Sequence, residues 1–335
     1  MGCRHGRLSS VGLMRHQWGS RRPGASVAAP PIPEPSLRCN GSSPGFVPRA
    51  PAPVTLGGLF PRDRPGGKVS FRERSSMTRA APEIRTFLCR SDNIGVLIRD
   101  PASGACAAID VPEAGPVLAA LDAEGWQLTD ILVTHRHGDH IEGIPEVVER
   151  TGARVTVPEK ARRAVPGAAR TVKEGDTVTV GGLTAAVWET PGHCADHVTY
   201  YFADAGVVFS GDTLFTLGCG RVMEAEPETL WRSLSRFLDL PDATAVYSGH
   251  DYVLSNGRFA LAADPDNADL KERVAEAERF AAQGGFLIPS TIGQEKATNP
   301  FLRVGQPVLA RSAGLEPGSD PAAVFTALRA WKNRF

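Results

Sequence analysis

The sequence predicts an α+β fold: sheets and helices in layers, closing with a helical segment. Three observations predict it. From residue 83 to about 256, short apolar runs alternate with turns and helix-period stretches, without the strict strand–helix–strand repeat of a doubly wound sheet. After about residue 257 the strand-like runs stop and two helix-period stretches follow. Three of the eight histidines, with an aspartate, crowd into the six residues from His135 to His140, a density that neither a solvated loop nor a buried core needs.

The elements follow in order. "IGVLIRD" and "ACAAID" read as two strands joined by the turn "PASG". "VPEAGPVLAALDAEG" has helical spacing, and "DILVTH" is a buried strand because Ile131, Leu132 and Val133 are consecutive and apolar. "IEGIPEVVERTG" predicts one helix ending near Gly152, and "RVTVP" another strand. "TVTVGGLTAAVWET" predicts a hairpin turning on Gly181-Gly182. "HVTYYFADAGVVFSGD" is a second strand pair, "PETLWRSLSRFLDL" a helix and "AVYSGH" the last strand. Beyond it, "NADLKERVAEAERFAAQG" carries Leu270, Val274 and Ala277 on one stripe. "SDPAAVFTALRAWKNRF" has Asp320 as N-cap and Pro321 in the first turn.

The chain of 335 residues divides into three zones: 1–82, 83–256 and 257–335. The first is rich in Pro, Gly, Ser and Arg and has no sustained apolar period, so it cannot bury enough surface to offset its ordering entropy. It reads as disordered, or as an over-extended gene product whose natural start is Met77; an organelle transit peptide is the third reading. His5 and His16 fall there and carry no expected role. The formal net charge of zero gives no basic field for nucleic acid, and no apolar run is long enough to span a bilayer. The six cysteines are scattered without a CxxC pair, which suits reduced thiols in the cytoplasm. A monomer without nucleic-acid or membrane partners is the expectation.

In an extended loop, side chains two apart point the same way, so His135 and His137 can reach one ion. Asp139 and His140 start the next helix and can reach a second. Downstream, His193, Asp212 and His250 each follow a predicted strand, and "Ser-Gly-ligand" occurs at both Asp212 and His250, where glycine permits close backbone approach. Seven ligands suit two ions: His135, His137 and His193 for one, and Asp139, His140 and His250 for the other. Asp212 can bridge them. Nitrogen and oxygen donors without thiolate favour two divalent ions, zinc first, with iron or manganese permitted. Such a pair lowers the pKa of a shared water toward neutrality.

"THRHGDH", followed by His193, Asp212 and His250, resembles the metallo-β-lactamase superfamily motif HxHxDH. "FSGDTLFTLGCGR" and "ATNPFLRV" narrow the resemblance to the glyoxalase II (hydroxyacylglutathione hydrolase) family, from about Ile84 to Phe335. The resemblance implies an αββα four-layer sandwich, the metallo-β-lactamase fold, with a C-terminal helical domain that binds glutathione. It implies hydrolysis of S-D-lactoylglutathione to glutathione and D-lactate, in methylglyoxal detoxification. Asp139 then has a catalytic duty besides ligation, orienting the attacking water.

The resemblance places glutathione contacts at Arg221, Tyr252, Arg329 and Lys332. Arg329 and Lys332, three apart on a helix, share a face and could clamp a carboxylate. Three departures stand out: Met223 where an aromatic is usual, Arg221 for lysine, and Asp196 for glycine. His197 is expected to orient the ligand loop by hydrogen bonding, and Cys194 and Cys219 to pack. The alternative is a mononuclear iron oxidoreductase of the same fold, similar to persulfide dioxygenases. The helical tail with "NPFLR" argues against it. A nuclease would need a basic groove, a β-lactamase of this fold often has cysteine where Asp212 stands, and a plain metal-binding module would not need a bridged pair.

Overall fold

A computed structural model describes residues 80–335. The expectations placed on the segment before it, including His5, His16 and a start at Met77, lie outside the described residues.

The first sheet has the order β1 (Glu83–Cys89), β2 (Asn93–Arg99), β3 (Cys106–Ile109), β4 (Asp130–Leu132), β5 (Arg154–Pro158) and β6 (Arg170–Val172). Tight turns make β1, β2 and β3 antiparallel neighbours. From β3 onward the pairing is parallel, because helices supply the crossovers: α1 (Ala114–Glu124), then α2 (Gly138–Ile141) and α3 (Ile144–Thr151). The second sheet is built from β7 (Thr177–Val180), β8 (Leu183–Glu189), β9 (Val198–Phe202) and β10 (Val207–Gly211). A small hairpin follows, β11 (Leu214–Phe215) and β12 (Gly218–Cys219), then α4 (Pro227–Ser235) and β13 (Ala245–Ser248). The remaining elements are α5 (Val253–Ala263), α6 (Ala268–Ala282), β14 (Ser290–Thr291), α7 (Ile292–Thr298), α8 (Pro307–Ser312) and α9 (Pro321–Lys332). The order across the second sheet is β14-β13-β10-β9-β8-β7.

Side-chain alternation assigns the layers. On β2, Ile94, Val96 and Ile98 face the second sheet and meet Val187, Tyr200 and Phe209. Leu97, between them, faces the other way and packs with Val117 and Leu121 of α1 and Val147 of α3. The outer face of the second sheet, with Val208 and Val246, is covered by Leu230 and Leu234 of α4, Phe259 of α5 and Phe325 and Leu328 of α9. The result is the expected α/β/β/α sandwich. The C-terminal helices share the core of the second sheet rather than hanging from it. Leu270, Val274 and Ala277 of α6 are all buried, as their stripe predicts.

Four local expectations need correction. The helix expected through "IEGIPEVVERTG" is broken at Gly143, whose N–H donates to Val111 O at 3.0 Å. A Cβ there would sit 2.6 Å from the backbone nitrogen of Ala114, so the break lets α1 pack against this turn. Strands do not stop at 257: Ser290 and Thr291 pair antiparallel with Val246 and Ala245. Four other strands were not expected, β1, β6 and the short hairpin β11–β12; β1 is a half-covered edge strand whose burial pattern is mixed. Asp320 occupies the N-cap position of α9 as predicted, but its side chain accepts no cap hydrogen bond.

Candidate metal centre and substrate cavity

The predicted ligands meet at one rim of the sandwich. His135 and His137 leave β4, His193 follows β8, Asp212 follows β10 and His250 follows β13. Two "Ser-Gly" turns make this possible. Gly249 N–H donates to Gly211 O at 2.9 Å, which seats Asp212 and His250 side by side. A Cβ on Gly211, at φ 48°, would come within 2.6 Å of His197 Nε2. A Cβ on Gly249 would come within 2.5 Å of Asp212 Oδ1. Only glycine lets the backbone this close to the ligand side chains.

Among the described residues three groups are spaced to hold an ion: the two predicted triads, His135–His137–His193 and Asp139–His140–His250, and a third, Asp110–His135–His140, behind them. In the first, His137 Nδ1 lies 3.1 Å from His135 Nε2 and 3.0 Å from His193 Nε2. In the second, His250 Nε2 lies 3.2 Å from Asp139 Oδ2 and 3.3 Å from His140 Nε2. Asp212 reaches both: Oδ2 is 3.5 Å from His193 Nε2 and from His250 Nε2, and Oδ1 is 3.5 Å from His140 Nε2.

The rings are held from behind. His135 Nδ1 lies 3.0 Å from Thr134 Oγ1, which itself donates to Asp110 Oδ2 at 2.7 Å. His140 Nδ1 donates to the same Asp110 oxygen at 2.8 Å, His250 Nδ1 to Asp92 Oδ1 at 2.7 Å and His193 Nδ1 to Arg221 O at 3.0 Å. With Nδ1 protonated, the Nε2 lone pairs of these four rings turn inward. His197 stands outside both triads. Burial pushes its pKa down to about 3, so it is neutral, and its Nε2 accepts the backbone N–H of Asp212 at 2.9 Å. That is the orienting hydrogen bond expected of it.

The donor set fits cations. Burial drives His135 and His193 well toward the neutral, lone-pair-bearing form. Burial also opposes charge on His140 and His250, but the facing carboxylates overcome it: Asp212 and Asp110 at His140, Asp139 and Asp212 at His250. The cluster therefore draws positive charge even from protons. Asp212 Oδ1 is buried with no hydrogen-bond donor, a costly state that a cation relieves.

Beside the cluster opens a cavity of about 780 Å³. His137, Asp139, His193, Asp212 and His250 form one end; Arg221, Arg258, Arg329 and Lys332 line the other. Tyr252 stands between them, its ring stacked on His250 at 4.9 Å and edge-on to Phe215 at 5.3 Å. Among the described residues the only acidic side chains lining this cavity are Asp139 and Asp212, at the metal end. Burial, then the charges of Arg329, Arg258 and Arg221, push the Lys332 ammonium down to about 8. Crowded like charges of this kind suit an anionic ligand. Met223 lines the same wall and is exposed.

Residues 95–250 match the metallo-beta-lactamase superfamily, and residues 251–335 match the hydroxyacylglutathione hydrolase C-terminus. A hydroxyacylglutathione hydrolase of Methylobacterium sp. (strain 4-46) is 74% identical over 254 residues, covering 76% of this chain and 100% of the relative. The chain belongs to the hydroxyacylglutathione hydrolase family. Its Rhizobium meliloti (strain 1021) relative of the same name is 49% identical, again over 76% of this chain and 100% of the relative. ETHE1 from Myxococcus xanthus superposes with a TM-score of 0.52 at 28% identity, over 75% of this chain and 99% of that one. BLEG-1 B3 metallo-beta-lactamase, at 24% identity and a TM-score of 0.51 over 66% of this chain and 99% of its own, shares the fold. This member of the family is a metal-binding hydrolase of the metallo-β-lactamase fold. Among its described residues no helix is long and apolar enough to cross a membrane.

Several contributors escaped the sequence reading. Asp110 is the main one: its two oxygens take Thr134 N–H, Thr134 Oγ1 and His140 Nδ1, from a backbone at φ 57° that aspartate tolerates better than most residues. A signal existed, since "ACAAID" ends a strand in an acid as "VVFSGD" does. Asp92, Asn93 and Arg258 had no such signal. Asn93 Nδ2 donates to Asp139 O at 2.9 Å, and Asn93 bridges to His250 across the two sheets. Arg329 lines the cavity but is only 4% exposed, and its Nη1 donates to Cys219 O at 3.1 Å. Cys194 and Cys219 are buried free thiols whose pKa burial raises, in keeping with packing roles.

Proposed function

We propose that this chain is a binuclear metal-dependent thioester hydrolase. Its substrate is S-D-lactoylglutathione, or a related 2-hydroxyacylglutathione, and its products are glutathione and D-lactate, which disposes of methylglyoxal. The observation that carries the reading is Asp212: one buried carboxylate in reach of both triads, at the mouth of a cavity whose far end is cationic.

His135, His137 and His193 would hold one divalent ion, Asp139, His140 and His250 the other, and Asp212 would join them; zinc suits these donors best, with iron or manganese permitted. When bound, the pair supplies a water acidified to near neutral pH and a Lewis acid for the thioester carbonyl. The chain's own residues do the rest. Asp139, with one oxygen held 3.3 Å from Asn93 Nδ2, can orient the attacking water. Arg221, Tyr252 and Lys332 reach the cavity to bind glutathione, and Arg329 backs the wall they share. The leaving thiolate has a conjugate acid near 8.5, about that of free cysteine, so no strong general acid is required.

A single-iron oxygenase would leave one triad without purpose. We also propose that the enzyme is cytoplasmic and monomeric; the four described cysteines are free thiols. The reading extends to a catalytic part over 83–256 and a glutathione-binding part over 257–335. Elemental analysis of the purified protein beside a lactoylglutathione assay tests it. Two zinc per chain with thioester turnover is the expected result; one iron per chain with oxygen consumption would overturn it.

A further inference from the structure

Asp196 stands where the resemblance expects glycine, and the structure shows what its carboxylate does. The side chain is fully buried. Arg136, between the ligands His135 and His137, donates its backbone N–H to Asp196 Oδ2 at 2.9 Å and its Nη1 to Oδ1. The other arm of the same guanidinium, Nη2, donates to Glu224 Oε1 at 2.5 Å. Glu224 Oε2 accepts the N–H of Ala195, the neighbour of Asp196, at 3.0 Å. Three segments are thus tied in a closed ring: the one bearing His135 and His137, the one bearing His193, and the one bearing Arg221 and Met223. The bond from His193 Nδ1 to Arg221 O is a second tie between the last two.

We propose that Arg136, Asp196 and Glu224 form a positioning network that spaces the three-histidine triad and couples it to the cavity wall at residues 221–223. Its two arms differ in burial. On the Asp196 arm the carboxylate is fully buried, so removing Arg136 strands it three residues from the ligand His193. The Glu224 arm is partly exposed on both sides, 35% for Arg136 and 32% for Glu224, so it acts more weakly and on the wall. The Asp196 arm therefore governs retention of the cation, and the Glu224 arm governs the grip on substrate. The substrate half of this inference rests on the thioester-hydrolase reading; the metal half does not.

The test compares wild type, Asp196→Asn, Arg136→Gln, the Arg136→Gln/Asp196→Gly pair and Glu224→Gln. Each is loaded with zinc and dialysed against graded chelator, and zinc per chain is counted. Melting temperature of the metal-free protein is measured, with KM and kcat for lactoylglutathione. Asp196→Asn and Arg136→Gln are expected to release one zinc about tenfold more readily, the size seen when groups orienting metal ligands are lost. The pair, which removes both charges, is expected to recover most of that loss. Glu224→Gln is expected to raise KM about fivefold, the scale of an exposed ion pair, with kcat and zinc retention near wild type. Unchanged zinc retention in Asp196→Asn and Arg136→Gln, with only a lower melting temperature, would make the network structural and overturn the proposal. If those variants do not fold, an unchanged KM in Glu224→Gln overturns it. A wild type that binds zinc but ignores the thioester defeats the substrate reading alone, and zinc retention still decides the network.

Discussion

The two ends of the cavity are built on opposite principles. At the metal end, every histidine is short, buried or nearly so, and fixed by a hydrogen bond on its far nitrogen or by its neighbours. At the cationic end, long side chains from a loop and from α5 and α9 converge with no acidic side chain among the described residues between them, and one wall residue, Met223, is 61% exposed. The metal end is over-determined, because a ligand displaced by a fraction of an ångström loses its ion. The cationic end is loosely set, because charge acts over longer distances and a bound anion can complete the packing. Disturbing the first should therefore destroy chemistry, and disturbing the second should weaken binding.

The largest expected effect is that of Asp212→Ala. It removes the carboxylate that lies within 3.5 Å of histidines in both triads. Hydrolysis should fall at least about 100-fold, and zinc per chain should drop, by elemental analysis. A fully active variant would break the contrast at its strong end. Next is Asp110→Asn, which lies outside the two triads and weakens the hold on His135 and His140. Zinc affinity should fall about 10- to 100-fold, read by chelator competition, with KM of the zinc-saturated enzyme little changed.

At the other end, Lys332→Ala should raise KM about tenfold, the scale of one hydrogen bond to a charged group, with kcat nearly constant. A fall in kcat instead would place Lys332 in the chemistry. The same residue sets a pH dependence. Its ammonium is charged below its lowered pKa of about 8 and neutral above it, so KM should climb as pH rises through that value. Lys332→Arg stays charged and should flatten the profile; an unchanged profile would assign the titration elsewhere. The smallest effect is expected for Met223→Tyr, which restores an aromatic hydroxyl to the exposed wall. KM should fall about two- to threefold, the worth of one solvent-exposed neutral hydrogen bond, and no change would show that the wall does not touch substrate.

Sequence and structure divide this protein along the same line. All seven residues that gather at the rim were legible as candidates, because metal chemistry demands particular donors and the chain places them at strand ends, in short motifs. So were β2 through β5, which are mostly apolar, and the hairpin on Gly181-Gly182, where Thr and Val alternate before the glycine pair. β1 was not, because an edge strand covered on part of one face has no clean alternation. β14 was not, because Ser290 and Thr291 become a strand only when β13 lies beside them. The capping box of α7, Thr291 with Gln294, is written in the sequence, but no apolar period accompanies it to mark a helix.

By itself, the sequence determined which atoms could bind metal and roughly where the sheets and helices begin. Donor type and hydrophobic period are properties of neighbouring residues, and the chain carries them folded or not. Only the tertiary structure decided which nitrogen of each histidine turns inward, that Asp110 and Asp92 hold the rings, that Arg329 is buried, and that Asp196 answers Arg136. Those outcomes depend on which groups lose water together. That is settled when β3, β8, β10 and β13 bring remote residues to one rim, and it has no local signature.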